Sequence, residues 1–232
     1  MFRLALETYI KNPRDPSVVF NDDNVVIIKD KFPKSLRHYL VIPKSNKFTK
    51  QHPIDAFEDD EFYLLVKGYV EKAKQLLIED LKKDGFKDLD GYVQAGVHSI
   101  PSMNNIHVHV MTKDFASKCM KHKKHYNSFT SRFFVNFVDL NPLGRDINKV
   151  KHSTKEDEED EEDEEEDSSY SSDDSGNFKS QLIERDPKIL ENILKSSLIC
   201  CHCGQGFGSS FVKLKDHLRL EFKEKFGRPP IH

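Results

Sequence analysis

The sequence predicts an α+β fold followed by a small C-terminal module that is rich in cysteine and histidine. Two observations lead to this prediction. The first 150 residues contain several apolar or β-branched runs of strand length and one long segment with helical periodicity. Three of the four cysteines lie within four residues near the C-terminus. The chain therefore divides into an α+β domain (residues 1–150), an acidic and disordered insert (151–180) and the C-terminal module (181–232).

The elements of the first domain follow in a definite order. Phe2–Ile10 predicts a short helix that Asn12-Pro13 ends. Apolar residues spaced three to five apart between Asp55 and about Leu81 predict one long amphipathic helix. The predicted strands share an apolar or β-branched character; they are Asn24–Lys29, His38–Ile42, Tyr92–Val97, Ile106–Thr112 and Phe133–Val138. Strands with a single long helix inserted are typical of an α+β domain.

The net charge of −3 hides an uneven distribution of charge. Twelve acids form the uninterrupted run Glu156–Asp167, and like charges in such a run repel one another and stay solvated. Without residues 153–177 the chain has 35 basic against 25 acidic residues, which suits a protein that binds a polyanion. No apolar run approaches the roughly 18 residues of a membrane span, and no secretion signal is evident, so we expect an intracellular protein without a membrane partner.

The densest chemistry lies in the segment Asn105–Val110, where polar and β-branched residues alternate. On a strand, Asn105, His107 and His109 would line one face while the apolar residues point to the core. A histidine near its ordinary pKa can act as a nucleophile, as a general acid or base, or as a metal ligand. The alternatives are two surface histidines on an edge strand, or a metal site with only two local ligands.

Asn105–Met111 resembles the signature of the histidine-triad superfamily, His-φ-His-φ-His-φ-φ with φ apolar, except that asparagine replaces the first histidine. Within the superfamily the chain is similar to the aprataxin family, because four further stretches match it in order. These are Asp30–Pro43, His98–Asn104, Lys113–Phe115 and Lys121–Phe129. The resemblance implies an antiparallel sheet with helices, and a fungal-type member without an amino-terminal forkhead-associated domain.

The resemblance also implies a two-step nucleotidyl transfer through a covalent adenylyl-histidine. His107 would be the nucleophile, His109 and Ser102 would contact phosphate oxygens, and His98 would serve the leaving group. The replacement of the first histidine by Asn105 leaves open how the nucleophile is supported. Ser102 has a plainer interpretation as a turn residue.

The nucleotide would be held mainly by the strand-loop-strand Asp30–Pro43. The residues implied as nucleotide-binding are Asp30, Lys34, His38 and Asn105. Three of them have structural alternatives. Asp30 can hold the turn before Pro33, Lys34 can be solvated, and His38 can be a hydrogen-bonded residue at a strand start.

Basic residues occur in clusters in both predicted parts. The members that we expect to contact DNA phosphates are Lys118, Lys121, Lys123, Lys124, Lys213, Lys215 and Arg219. Such clusters are often solvated loops, but next to a phosphoester site they favour salt-sensitive binding without sequence reading. Phe2 aligns with an aromatic residue that stacks on the terminal base pair in the family; the alternatives are fraying or core packing.

The C-terminal module has the spacing of a zinc finger with two departures. Cys200-x2-Cys203 is followed after 13 residues by His217, against 12 in the ordinary pattern, and Glu221 replaces the final histidine. A carboxylate is an acceptable zinc ligand. The sequence therefore predicts a structural Zn²⁺ on Cys200, Cys203, His217 and Glu221 and no catalytic metal. Cys201 and His202 are alternatives for the fourth ligand.

The expected function is that of a nuclear, monomeric DNA-repair hydrolase. It would remove AMP from adenylated DNA 5′ ends at nicks or breaks, including RNA–DNA junctions. Two other functions stay open. A histidine-triad hydrolase of small adenylates would use His107 but has no need of the lysine clusters. A non-catalytic DNA-binding zinc-finger protein would explain Asn105 as a degenerate motif.

Overall fold

The computed structural model of the protein describes residues 4–144 and 183–230. Phe2 and the acidic run Glu156–Asp167, for which the sequence makes predictions, lie outside the described residues. The described residues form a six-stranded antiparallel sheet with helices, followed by a small two-stranded module with its own helix. The predicted α+β class is confirmed.

The strands of the large sheet lie in the order β1-β2-β3-β5-β4-β6, and every neighbouring pair is antiparallel. Their bounds are β1 Val18–Asn21, β2 Val25–Lys29, β3 His38–Pro43, β4 Val93–His98, β5 Val108–Thr112 and β6 Phe134–Asn136. The sequence did not predict β1. β5 begins two residues later than predicted, so that Asn105 and His107 precede the strand, and β6 passes at Phe137 into a 3-10 helix that ends at Leu140.

The helices and the small sheet complete the chain. The helices are α1 Glu7–Lys11, α2 Pro53–Ala56, α3 Asp60–Lys83, α4 Lys123–Thr130, α5 Pro187–Lys195 and α6 Phe211–Phe226; the small sheet pairs β7 Leu198–Ile199 with β8 Gly206–Gly208. The predicted long helix is divided because Asp59 has an extended backbone and its side chain accepts from the Phe62 N–H, which starts α3. No helix in residues 4–144 or 183–230 has the length and apolar character needed to cross a membrane.

The two faces of the large sheet have different surroundings. Tyr39 and Val41 of β3 point toward α3, whose buried side chains recur every three or four residues; these are Phe62, Tyr63, Val66, Val70, Ala73, Leu77 and Leu81. His38 and Leu40 alternate with them and point to the opposite face. Leu40 there joins a second apolar cluster with Leu6. The histidines of the sheet therefore lie on the face that α3 does not cover.

The C-terminal module packs directly on the domain before it. Leu198, Leu214 and Leu218 share one buried cluster with Phe115 and Tyr126. The far end of α6 joins the main core, where the Phe222 ring meets Phe86 at 5.8 Å between centroids. Buried apolar surface thus joins the two parts at both ends of α6.

A glycine opposite His109 provides the space for an aromatic ring on the histidine face. A Cβ atom at Gly96 would lie 2.3 Å from the Val135 carbonyl oxygen and 2.7 Å from the Phe134 ring. We expect Gly96→Ala to lower the free energy of unfolding by about 1–3 kcal/mol, because backbone and ring must both shift. Gly68→Ala, in helix α3, is the matched control, since among the described residues no atom beyond its chain neighbours and its own helix backbone would lie within 4 Å of the added Cβ.

That control should be neutral or stabilise the protein by about 0.5–1 kcal/mol. Urea denaturation of both variants measures the difference. Equal stability of Gly96→Ala and the wild type would contradict the packing described at β4 and β6.

Candidate active site and metal centre

Four imidazole rings converge on the uncovered face of the sheet. His38 comes from β3, His98 from the end of β4, His109 from β5, and His107 immediately precedes β5. His109 is central, with ring-centroid distances of 5.1 Å to His38, 4.7 Å to His98 and 4.9 Å to His107. The structure therefore brings together three predicted catalytic residues and one predicted nucleotide-binding residue.

His107 is held in a single tautomer by the main chain. Its side chain is buried, and its Nδ1–H donates to the backbone carbonyl of Asn105 at 2.8 Å. A carbonyl oxygen only accepts, so the neutral ring carries its proton on Nδ1 and a free lone pair on Nε2. Burial lowers the pKa of His107, which favours this neutral form. The ring is thus prepared to act as a nucleophile through Nε2.

A second chain of hydrogen bonds orients His109. The Lys34 backbone N–H donates to His38 Nδ1 at 3.2 Å, so the neutral His38 ring must carry its proton on Nε2. That Nε2–H donates to His109 Nδ1 at 2.9 Å. The proton of neutral His109 therefore lies on Nε2, which is buried and has no hydrogen-bond partner among the described residues. A donor in this position suits a phosphate oxygen.

The fourth ring, His98, also has one nitrogen bound by the main chain and one without a partner among the described residues. The Ser128 backbone holds the ring, and His98 Nε2 is buried without a hydrogen-bond partner in the described part of the chain. Burial lowers the pKa of His98 to about 3, so the ring is neutral in the free site. It can protonate a leaving group only if a bound phosphate first raises its pKa by attraction.

Aromatic rings close one side of the histidine cluster, and the sequence interpretation did not include them. Phe129 of α4 presents its edge or face to His98, His109 and His38 at centroid distances of 4.6, 5.2 and 5.7 Å. Phe134 lies behind it, 5.7 Å from Phe129. These rings exclude water from the imidazoles and so cause part of the pKa lowering. The only sequence signal was the position of Phe129 at the end of a family-like stretch.

The predicted nucleotide loop is fixed from two sides. Asp30 does hold a turn, because its Oδ1 accepts from the Phe32 N–H at 2.8 Å, while its Oδ2 lies 3.4 Å from His38 Nδ1. The buried carboxylate of Asp114 accepts from the Leu36 N–H at 2.9 Å and ties the loop to the end of β5. Burial lowers the pKa of Lys34, whose ammonium donates to the Phe32 carbonyl.

The remaining predicted residues lie in the turn before β5, around the start of α4 and on α6. Ser102 is exposed in the turn between β4 and β5. Four lysines surround the start of α4; Lys118, Lys121 and Lys124 are exposed and Lys123 is half-buried. Lys213 and Arg219 are exposed on α6, and Arg219 pairs with Asp216 at 3.1 Å.

Lys215 differs from the other predicted DNA contacts. Its ammonium donates to the carbonyls of Ser117 and Met120 at 2.9 and 3.3 Å. Two of its three N–H donors are therefore used within the protein, and they fasten α6 to the loop that carries Lys118.

Four ligand atoms meet between β7 and α6. Cys200 Sγ lies 3.1 Å from Glu221 Oε2, Cys203 Sγ lies 3.2 Å from His217 Nε2, and His217 Nε2 lies 3.0 Å from Glu221 Oε1. Zinc bonds of about 2.0–2.3 Å place tetrahedral ligand atoms roughly 3.3–3.8 Å from one another. The cluster is close to that size, and its donor set fits a structural Zn²⁺.

The two alternative fourth ligands lie outside this group. His202 Nε2 donates to the Lys113 carbonyl at 2.8 Å, and its ring stacks on Tyr92. The Cys201 backbone N–H donates to the Tyr126 hydroxyl at 2.9 Å, and Cys201 lines a cavity of about 360 Å³. Neither residue belongs to the group whose ligand atoms converge.

The chain is similar to known proteins over nearly its whole length. Residues 3–125 match the family model described as scavenger mRNA decapping enzyme C-term binding, and residues 130–224 match the C2HE / C2H2 / C2HC zinc-binding finger. An aprataxin-like protein of Saccharomyces cerevisiae is 33% identical, over 97% of this chain and 98% of its own. An aprataxin-like protein of Schizosaccharomyces pombe is 30% identical, and the match covers 96% of this chain and 82% of that protein.

A solved structure supports the same relation. The aprataxin ortholog Hnt3, solved in complex with DNA, has a TM-score of 0.73 and 30% identity, covering 97% of this chain and 96% of that one. Fold, histidine cluster and finger together define a histidine-triad protein with a C2HE zinc finger. The chain belongs to the aprataxin-like family.

The buried histidines predict a pH-dependent stability. Burial lowers the pKa of His38 to about 4 and that of His98 to about 3, whereas the unfolded chain retains a value near 6.5. The unfolded state therefore binds more protons in this interval. The free energy of unfolding should fall as pH drops from about 6.5 toward 4, by up to about 1.4 kcal/mol per pH unit for each such histidine.

Urea denaturation between pH 7 and 4 measures this slope. His38→Gln should make it shallower, because one buried titrating group is removed. His122→Gln, at an exposed histidine, should leave it unchanged. Parallel slopes for His38→Gln and the wild type would contradict the neutral buried state of His38.

The metal centre predicts a specific role for Glu221. Glu221→Ala should weaken zinc binding at least as much as loss of an outer-shell partner, roughly 10–100-fold, and lower the melting temperature. Competition with a chromophoric chelator measures the affinity. Glu224→Ala, one turn along the exposed side of α6, and Cys201→Ser are controls that should retain wild-type affinity. If Cys201→Ser weakened zinc binding and Glu221→Ala did not, Cys201 rather than Glu221 would be the fourth ligand.

Proposed function

We propose that the protein is a nuclear DNA-repair hydrolase, acting as a monomer, that removes AMP from 5′-adenylated DNA ends left by abortive ligation. One observation carries the proposal. The neutral His107 ring has its proton fixed on Nδ1 by the Asn105 carbonyl, which leaves Nε2 as a nucleophile. Beside it is the Nε2–H of His109, which has no hydrogen-bond partner within residues 4–144 and 183–230. A nucleophile beside an oriented donor suits attack on a phosphorus atom.

The reaction would proceed in two displacements. His107 Nε2 attacks the α-phosphorus of the adenylate, a P–N bond forms, and the P–O bond to the DNA 5′-phosphate breaks. His109 Nε2–H donates to a non-bridging oxygen as charge builds there. His98, once its pKa is raised by the bound phosphates, donates a proton to the leaving phosphate. Water then attacks the phosphorus of the adenylyl-histidine, the P–N bond breaks, and AMP leaves. His98, neutral after the first step, takes up the proton of the water, and the His107 ring returns to its neutral form.

The nucleotide would be recognised by the loop between β2 and β3. Asp30 Oδ2 is not used by the turn and is suited to accept from ribose hydroxyls. Lys34 contributes positive charge near the phosphates. Asn105 acts through its main chain on His107, so that its part in nucleotide binding is indirect.

DNA would be held by basic residues from both parts of the protein. The lysines around the start of α4 and those on α6 are brought together because Lys215 binds the loop that carries Lys118. The related Hnt3 was solved in complex with DNA, which supports the same partner for this chain. Such phosphate contacts predict binding that weakens with salt and does not depend on sequence.

The proposal predicts that the protein releases AMP from nicked DNA with an adenylated 5′ end. His107→Ala should reduce turnover at least about a thousandfold, because both displacements need the nucleophile. Zinc content should match the wild type, and a cooperative melting curve checks that the variant is folded. Steady-state kinetics on adenylated DNA and on AMP-lysine measure the effect and the preference.

Three other results would each contradict a different part of the proposal. Release that survives His107→Ala would remove His107 as the nucleophile. Faster turnover of AMP-lysine than of DNA would make the protein a hydrolase of small adenylates. Tight DNA binding without turnover of either substrate would make it a binding protein on a histidine-triad scaffold.

A further inference from the structure

The support of the nucleophile depends on a peptide group that lies outside the sheet. His107 bonds to the carbonyl of Asn105, but β5 pairs with β3 only from Val108 onward. The ladder of strand hydrogen bonds therefore does not fix the direction of the Asn105 carbonyl. Another part of the protein must hold this peptide, since a rotated carbonyl would release the Nδ1 proton of His107.

Thr49 makes two hydrogen bonds to this short segment. The Ile106 N–H donates to the Thr49 carbonyl at 2.8 Å, and the Asn105 side-chain Nδ2–H donates to Thr49 Oγ1 at 3.1 Å. The Ile106 nitrogen belongs to the same peptide group as the Asn105 carbonyl. Thr49 thus binds the N–H of the peptide group between residues 105 and 106, and it also binds the side chain of Asn105.

Thr49 is itself hydrogen-bonded to the main chain and buried. Its backbone N–H donates to the Ser45 carbonyl at 2.9 Å, and its hydroxyl donates to the Pro43 carbonyl at the end of β3 at 3.4 Å. Because the hydroxyl proton is used there, Oγ1 offers a lone pair to Asn105. Thr49 is 7% exposed and Asn105 is 2% exposed, so water does not replace these bonds.

We propose that Thr49 is a positioning residue for His107, and that Asn105, which replaces the first histidine of the motif, forms a functional pair with it. The Thr49 carbonyl and hydroxyl fix the peptide between residues 105 and 106. The Asn105 carbonyl then keeps the proton of His107 on Nδ1. Thr49 does not touch the reacting atoms; it acts through the nucleophile's tautomer.

The test compares Thr49→Val, which removes the hydroxyl at nearly constant shape, with Thr49→Ser, which retains it. The kinetic arm rests on the proposed function and measures AMP release from adenylated nicked DNA. Thr49→Val should lower kcat roughly fivefold to tenfold, the effect of one buried hydrogen bond, with KM unchanged. Thr49→Ser should keep the wild-type kcat. Asn105→Ala should resemble Thr49→Val, and the double variant should be no worse than Asn105→Ala alone.

A second arm does not use the substrate. Nitrogen-15 NMR of the histidine side chains reports which ring nitrogen of His107 carries the proton. The wild type and Thr49→Ser should show the Nδ1–H form, whereas Thr49→Val and Asn105→Ala should show a mixture of tautomers. Melting curves check that each variant is folded.

The results that overturn the proposal are distinct from a failure of the proposed function. Unchanged kcat in Thr49→Val, additive losses in the double variant, or a rise in KM with the tautomer intact would each exclude the positioning role. If the wild type does not act on adenylated DNA, the proposed function is wrong, and the NMR measurement alone tests the positioning role of Thr49. A pure Nδ1–H form of His107 in both Thr49→Val and Asn105→Ala would then overturn the inference.

Discussion

Burial of four imidazole rings on one face of a sheet is the constraint on which the rest of the site depends. A charged imidazole is strongly disfavoured there, so each ring is neutral and has one donor and one acceptor. Every ring then needs a neighbour that fixes which nitrogen carries the proton. The main chain supplies that neighbour at residues 34, 105 and 128, and Nε2 of His98 and Nε2 of His109 have no hydrogen-bond partner among the described residues.

Helix α4 connects this cluster to the metal centre. Its Tyr126 hydroxyl donates to the Ile199 carbonyl and accepts from the Cys201 N–H, one residue from a zinc ligand. Asn127 donates to carbonyls at the end of α5. One turn further, Phe129 packs on the histidines. The same helix therefore contacts both the finger and the imidazole rings.

Much of the architecture could be predicted because it is local. Alternation around Val108 places His107 and His109 on a polar face, and the spacing of Cys200, Cys203, His217 and Glu221 predicts the ligand group that the structure brings together. Helix α4 was missed because its lysines and histidines conceal its few apolar positions. The predicted roles of His38 and Lys215 were incomplete, since their partners are the His109 ring and the carbonyls of residues 117 and 120.

The sequence alone determined which chemical groups are available, the class of fold and the family to which the motifs point. Residue type and short-range periodicity are sufficient for the first two conclusions, whereas the family rests on the resemblance of its motifs and their order. Only the tertiary structure decided the tautomers, the direction of the pKa shifts and the residues that support the nucleophile. These depend on desolvation and on donor–acceptor pairs between residues far apart in the chain, such as His38 with His109 and Thr49 with Asn105. Folding brings such pairs together, and a short-range sequence pattern does not specify which donor will bind which acceptor.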